Sequence, residues 1–186
     1  MKEINLKEEY EIYSTTQSDI NEHLPTLYEY AKKCSHITEM GVRSGASTRA
    51  FLYANPEKFI AYDLLLDPQV NSLFEYCKSI DKDYSYLQED VLEIEIEETD
   101  LLFIDTHHCY EQLTEELKLH SDKVRKYIAF HDTVTYARIG DNIPGLRFEG
   151  LQGIMYAIEE FLENNKEWKI VHNAKYNNGL MIIEKQ

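Results

Sequence analysis

The sequence predicts an α/β domain: a three-layer, doubly wound, Rossmann-like sheet of five parallel strands, completed by a C-terminal antiparallel hairpin. Three observations carry the α/β prediction. Apolar periodicity switches repeatedly between the helical period and the strand period along the chain. The runs Asp100-Leu-Leu-Phe-Ile-Asp105 and Tyr127-Ile-Ala-Phe-His131 are almost continuously apolar, as in central strands covered on both faces. Near the end, Asn177-Asn178-Gly179 joins two short apolar runs, a tight-hairpin signal.

Taken in order, residues 20–33 read as a helix with Ser18 or Asp19 at its cap and Pro25 in its first turn. Residues 36–40 read as a short strand, followed by a glycine-bounded turn and a helix over 47–54. Residues 58–63 form the second strand. Residues 68–80 form a helix with Val70, Leu73, Phe74 and Cys77 on one stripe. The third strand is 84–87. The acidic alternation at 93–98 reads as a solvated edge or loop rather than a cation site. Residues 100–105 and 127–131 are the fourth and fifth strands, with a charged amphipathic helix over 110–126 between them. A loop containing Gly140, Pro144, Gly145 and Gly150 precedes a helix over 152–164 and the final strands, 168–171 and 180–183.

Length and charge narrow the function. A chain of 186 residues suits a single domain over 1–186, with 1–35 as an N-terminal helical extension and 133–151 as a lid or substrate loop. Lys and Arg number 19 against 34 Asp and Glu, a formal charge of −15, which disfavours nucleic acid and anionic membranes as partners. No apolar run reaches the roughly 18 residues needed to span a bilayer. Cys34, Cys77 and Cys109 are widely spaced and odd in number, so a disulfide framework is not expected and a reducing cytoplasmic setting is. A small-molecule substrate remains, and a homodimer is compatible with all of this.

The turn Glu39-Met-Gly41-Val-Arg-Ser44-Gly45-Ala-Ser47-Thr48 stands where a strand gives way to a helix. Glycine permits positive φ and close approach of a ligand, and the helix N-terminus offers free N–H groups; a tight turn needing glycine for its own geometry explains the pair about equally well. Acids at later strand ends favour the ligand: Asp63 closes the second strand at the offset of a ribose-binding acid, Gln88 and Asp90 follow the third, and Asp105 and Asp132 end the fourth and fifth. Ligands of open α/β sheets bind along this edge.

These segments resemble the class I S-adenosylmethionine-dependent methyltransferases. EMGVRSGAST is similar to their first motif, and DLLFIDTHHCYEQLTEEL followed by IAFHDT is similar to the small-molecule or sugar O-methyltransferase subfamily that reads IDGDHSYE…FHD. The tail from Gly153 to Glu184 is similar to that subfamily's ending. The resemblance spans about residues 39–184 and departs at Thr106-His107, where the family has Gly-Asp, and at Arg125-Lys126, where it has a glycine pair. It implies S-adenosylmethionine as cofactor, held by Glu39, Gly41, Ser44, Gly45, Ser47, Thr48, Asp63, Gln88, Asp90 and Asp105. It implies methyl transfer to a hydroxyl of a small molecule such as a sugar or specialised metabolite. By likeness to the metal-dependent catechol-type enzymes, Asp105, His131 and Asp132 would hold Mg²⁺ or another divalent ion, and His108 falls where those enzymes carry their base.

From the residues themselves, Asp105, His107, His108, His131 and Asp132 are the densest group of ligand-capable side chains, at the ends of adjacent strands. Two carboxylates with an imidazole suit a divalent ion, and the histidine admits Mn²⁺, Fe²⁺ or Zn²⁺ beside Mg²⁺. Metal-free action would leave His108 or His131 as the base, while His107 reads as a hydrogen-bonded bystander. Arg138, Arg147, Glu149 and Tyr110 are further candidates for substrate contact. Two other readings compete: a transition-metal hydrolase built on the Asp/His cluster, and a cofactor-binding relative without turnover. The hydrolase leaves the glycine turn and Asp63 unexplained.

Overall fold

The computed structural model describes residues 3–186, whose strands assemble into a seven-stranded sheet. In chain order these are β1 (His36–Met40), β2 (Lys58–Asp63), β3 (Asp83–Gln88), β4 (Thr99–Ile104), β5 (Val124–His131), β6 (Trp168–Ala174) and β7 (Leu180–Lys185). Their spatial order is β3-β2-β1-β4-β5-β7-β6. The first five run parallel; β7 is antiparallel to both β5 and β6. The winding reverses between β1 and β4, which opens a crevice at the C-terminal strand ends.

Among the described residues, six α-helices cover the sheet: α1 (Leu6–Thr15), α2 (Leu24–Ala31), α3 (Ala46–Ala54), α4 (Pro68–Ser79), α5 (Tyr110–His120) and α6 (Ile154–Asn164). On one face Leu24 and Leu27 of α2, Phe51 of α3 and Phe74 of α4 pack against Ile37, Phe59, Phe103 and Ala129. Phe51 meets Phe59 and Phe103 edge-on, with ring centroids 5.7 and 5.5 Å away. The other face holds Leu113 and Leu117 of α5 and Ile154 and Ile158 of α6 over Met40, Leu102, Ile128 and Ile183. Because β4 and β5 are buried from both sides, their apolar runs are continuous rather than alternating.

Most boundaries fall within two residues of the sequence expectation, and the stripe Val70, Leu73, Phe74 and Cys77 is the buried face of α4. Residues 20–33 open with a 3₁₀ turn, Asn21–His23, whose first amide is capped by Ser18 Oγ at 3.0 Å; Pro25 follows in the first turn of α2. The largest departure is α5, expected to reach residue 126 but ending at His120. Val124 already pairs with Thr99 as the first residue of β5. The cause is Asp100, buried in β4, whose carboxylate takes Arg125 Nε at 3.0 Å and Lys126 Nζ at 3.5 Å only if both cations stand on the neighbouring strand. Residues 93–98 are a loop, as expected, though Val91 and Ile96 are buried beside Ile60 and Tyr62.

Candidate functional site

A cavity of about 260 Å³ opens at the C-terminal ends of β1, β2 and β4. Gly41, Asp63, Asp90 and Asp105 line it with Tyr62, Leu64, Val91 and Leu92, and His107, His108 and Gln112 close its inner end. Ile143, Leu146 and Arg147 of the 140–150 loop also line it. Arg147 pairs with Asp90 at 3.4 Å and with Glu93, tying the 140–150 loop to the segment after β3.

The glycine turn serves the fold at close quarters. Gly41 has φ +83°, and a Cβ there would lie 2.1 Å from the Asp105 carbonyl oxygen; Gly45 has φ +73°, and its Cβ would lie 2.6 Å from Val70. Glu39 is fully buried behind the turn, where its carboxylate accepts hydrogen bonds from Ser47 Oγ at 2.5 Å and Thr48 Oγ1 at 2.7 Å. Burial pushes the Glu39 carboxyl up to about 8, against the two hydroxyl donors. Glu39, Gly45, Ser47 and Thr48 therefore brace the turn from inside and do not line the cavity, and the exposed Ser44 uses its carbonyl to accept from Arg49 at 2.9 Å. Gln88 is also outside it, donating to the Leu64 carbonyl at 3.0 Å.

Asp63 is largely engaged by its own chain. Its Oδ2 accepts from the Val42 and Arg43 amides at 2.7 and 2.9 Å, and its Oδ1 from Leu65 at 3.0 Å. One lone pair on Oδ1 remains for a ligand.

Beyond the cavity the ends of β4 and β5 converge. Asp105 Oδ1 lies 3.1 Å from both His108 Nε2 and His131 Nδ1, while Asp132 Oδ2 lies 3.1 Å from His108 Nε2 and 3.2 Å from His131 Nδ1. Ligand atoms of Asp105, His131 and Asp132 all lie within 4.8 Å of one another, a spacing that can hold a metal ion. Asp132 takes φ +58°, and its Oδ1 is buried without a hydrogen-bond partner. His131 Nε2 donates to the Asp19 carbonyl at 3.1 Å, so the neutral ring turns an Nδ1 lone pair toward two carboxylate oxygens. That arrangement is stable only with a proton or a cation between them. With a proton there, burial works against the His131 imidazolium, but Asp105 and Asp132 outweigh it and carry its pKa up to about 10. Burial likewise opposes the Asp105 anion, and the adjacent His131 and His108 override it, holding the carboxyl well below the usual range. The donor set fits a divalent cation.

Of the other candidates, His107 lines the cavity and its Nε2 donates to the Asp141 carbonyl, while the rest fall outside. Arg138 turns away to Glu159 at 2.6 Å, Tyr110 donates to Glu160 at 2.7 Å, and Glu149 is exposed. The sequence reading missed Glu116 of α5, fully buried, which accepts from Thr106 Oγ1 at 2.6 Å and Gln112 Nε2 at 2.7 Å; burial pushes it up to about 7. Its signal was present: an acid on the same helical stripe as Leu113 and Leu117 has to be buried with partners. Tyr136, whose ring stacks on His108 at 4.6 Å, and Asp141 were also missed, since their loop has no periodicity to place them.

No protein-family profile matches the chain, and no curated protein sequence matches it significantly. Solved structures do match. The N-methyltransferase NodS from Bradyrhizobium japonicum WM9 superposes with a TM-score of 0.62 at 14% identity, covering 90% of this chain and 96% of that one. A Staphylococcus aureus protein provisionally assigned as a caffeoyl-CoA O-methyltransferase gives 0.66 at 12% identity, covering 97% and 90%. The SAH-bound methyltransferase PaMTH1 of Podospora anserina gives 0.60 at 17% identity, covering 97% and 87%. At these identities the likeness establishes the fold, the seven-stranded methyltransferase sheet.

Proposed function

We propose that the protein transfers a methyl group from S-adenosylmethionine to a hydroxyl oxygen of a small molecule, with a divalent cation at the Asp/His cluster. The observation that carries this reading is adjacency: the crevice cavity and the cluster share Asp105 and His108. Methyltransferase neighbours, three of these structures with bound S-adenosylhomocysteine, support the same cofactor.

S-adenosylmethionine supplies a methyl carbon activated by a positive sulfonium. Tyr62, Val91 and Leu146 provide apolar walls for a base, Asp90 an acceptor for an amino group, and the free lone pair of Asp63 an acceptor for one ribose hydroxyl. Gly41 leaves the backbone bare beside Asp105. A cation held by Asp105, His131 and Asp132 would lower the pKa of a bound hydroxyl. The hydroxyl proton leaves to water at the cavity mouth. The oxygen lone pair forms the new O–C bond as the S–C pair returns to sulfur, giving a neutral thioether. Ile143 and Leu146 exclude water from above, and much of the rate comes from holding the two reactants in register.

The test is a thermal-shift panel of S-adenosylmethionine, S-adenosylhomocysteine, NAD and divalent ions, followed by labelled-methyl transfer to a panel of hydroxyl compounds. The sulfonium pair should raise the melting midpoint, since a ligand of the folded state alone stabilises it. A shift with NAD and none with the pair refutes the reading. Binding without methylated product would favour the cofactor-binding relative.

A further inference from the structure

We propose that His108 is a fourth metal ligand rather than a free base, so that Asp105, His108, His131 and Asp132 form a two-histidine, two-carboxylate centre selective for a divalent transition ion over Mg²⁺. The inference deepens the metal-assisted reading above and rests on it for its use.

The geometry is a closed ring of four donor atoms. Going round, Asp105 Oδ1, His108 Nε2, Asp132 Oδ2 and His131 Nδ1 are separated by 3.1, 3.1, 3.2 and 3.1 Å. His108 Nε2 thus stands 3.1 Å from two carboxylate oxygens of the Asp105, His131 and Asp132 group, whose ligand atoms all lie within 4.8 Å of one another. Two imidazole nitrogens shift preference from Mg²⁺, an oxygen-seeking ion, toward Mn²⁺, Fe²⁺, Co²⁺ or Zn²⁺.

The His131 ring is held from behind through its second nitrogen, as ligating histidines are, and the His108 ring by stacking. His131 Nε2 donates to the Asp19 carbonyl at 3.1 Å. His108 Nδ1 is buried without a partner, and Asp141 Oδ2 stands 3.8 Å from it, while Tyr136 lies flat against the ring at an interplanar angle of 1°. A free base presents its accepting nitrogen to substrate. His108 Nε2 instead faces two carboxylate oxygens, each at 3.1 Å. The buried, unpartnered Asp132 Oδ1 marks the same centre as built for a group that the side chains alone do not supply.

The experiment loads the full-length, metal-stripped protein with Mn²⁺ and counts directly bonded nitrogens by pulsed electron paramagnetic resonance, with calorimetric titration of Mn²⁺ and Mg²⁺. Two nitrogens are expected in the wild type and one in His108→Ala, whose Mn²⁺ affinity should fall about 10-fold or more. Mn²⁺ should bind the wild type about 100-fold more tightly than Mg²⁺. His107→Ala should change neither quantity. One nitrogen in the wild type, or unchanged affinity in His108→Ala, overturns the proposal and returns His108 to the role of base, leaving methyl transfer untouched. No Mn²⁺ binding at all overturns the centre and the metal-assisted part together, whereas the S-adenosylmethionine thermal shift tests the transfer reading separately. The wild-type nitrogen count needs no variant to fold.

Discussion

The guanidinium of Arg49 joins the first helix to the glycine turn: its Nε donates to Glu9 Oε2 of α1 at 2.9 Å, and its Nη1 donates to the carbonyls of Ser44 and Gly45 at 2.9 and 2.8 Å. The same guanidinium lies 3.7 Å from the centre of the Tyr13 ring, and the residue is almost wholly buried. Residues 6–15 thus help to fix the shape of the turn at the crevice.

Arg49→Lys is expected to break this junction, because an ammonium cannot reach an acid and two carbonyls through one planar fork. The loss should be about 2 kcal/mol of stability, read by urea unfolding. Affinity for S-adenosylhomocysteine should fall with it; unchanged affinity would show that the turn holds its shape without α1.

Gly41→Ala should be far more damaging than an ordinary surface change. The new Cβ would meet backbone at 2.1 Å, at φ +83°, and neither β1 nor β4 can retreat within a packed sheet. A loss of about 3 kcal/mol or more is expected, seen as a lowered melting midpoint or insoluble protein.

Asp132→Ala and His108→Ala should each remove turnover by about 100-fold or more while leaving S-adenosylhomocysteine binding within a few-fold. Asp132 stands outside the cavity lining, and His108 lines the cavity where it meets the cluster. Equal loss of cofactor affinity, by calorimetry, would contradict this division of labour.

Glu39 makes stability depend on pH in a stated direction. Its native pKa, pushed up by burial to about 8, exceeds its ordinary 4.5. The folded chain therefore keeps a proton that the unfolded chain releases, and the contribution is full below about pH 4.5 and lost as pH rises through about 8. Glu39→Gln cannot ionise, so its melting midpoint relative to wild type should climb between pH 5 and 9. A constant difference across that range would show that Glu39 stays charged.

The sheet was legible because strands covered on both faces leave unbroken apolar runs, as in Leu101 to Ile104, and because Asn177, Asn178 and Gly179 all need the positive φ they adopt. The end of α5 was not legible: helical periodicity continues through Lys118, and the reason it stops is Asp100, a partner more than twenty residues earlier in the chain. At the site, the residue types of the cluster announced themselves through spacing at strand ends. What they do could not be read in the same way. Glu39 and Asp63 look equally ligand-ready in sequence, yet one is spent wholly on hydroxyls within the fold and the other mostly on backbone amides. Such assignments depend on where neighbouring donors fall in three dimensions.

The Asp19 carbonyl that receives His131 Nε2 belongs to a segment outside the sheet and its crossover helices. A chain shortened to begin at His36 would retain every strand and still lose the anchor that aims this imidazole. Grafting the strand ends alone onto another scaffold would reproduce the four side chains but leave one of them free to swivel. The proposed site thus extends to Asp19, ahead of the first strand, where backbone, silent in any comparison of side chains, does the aiming.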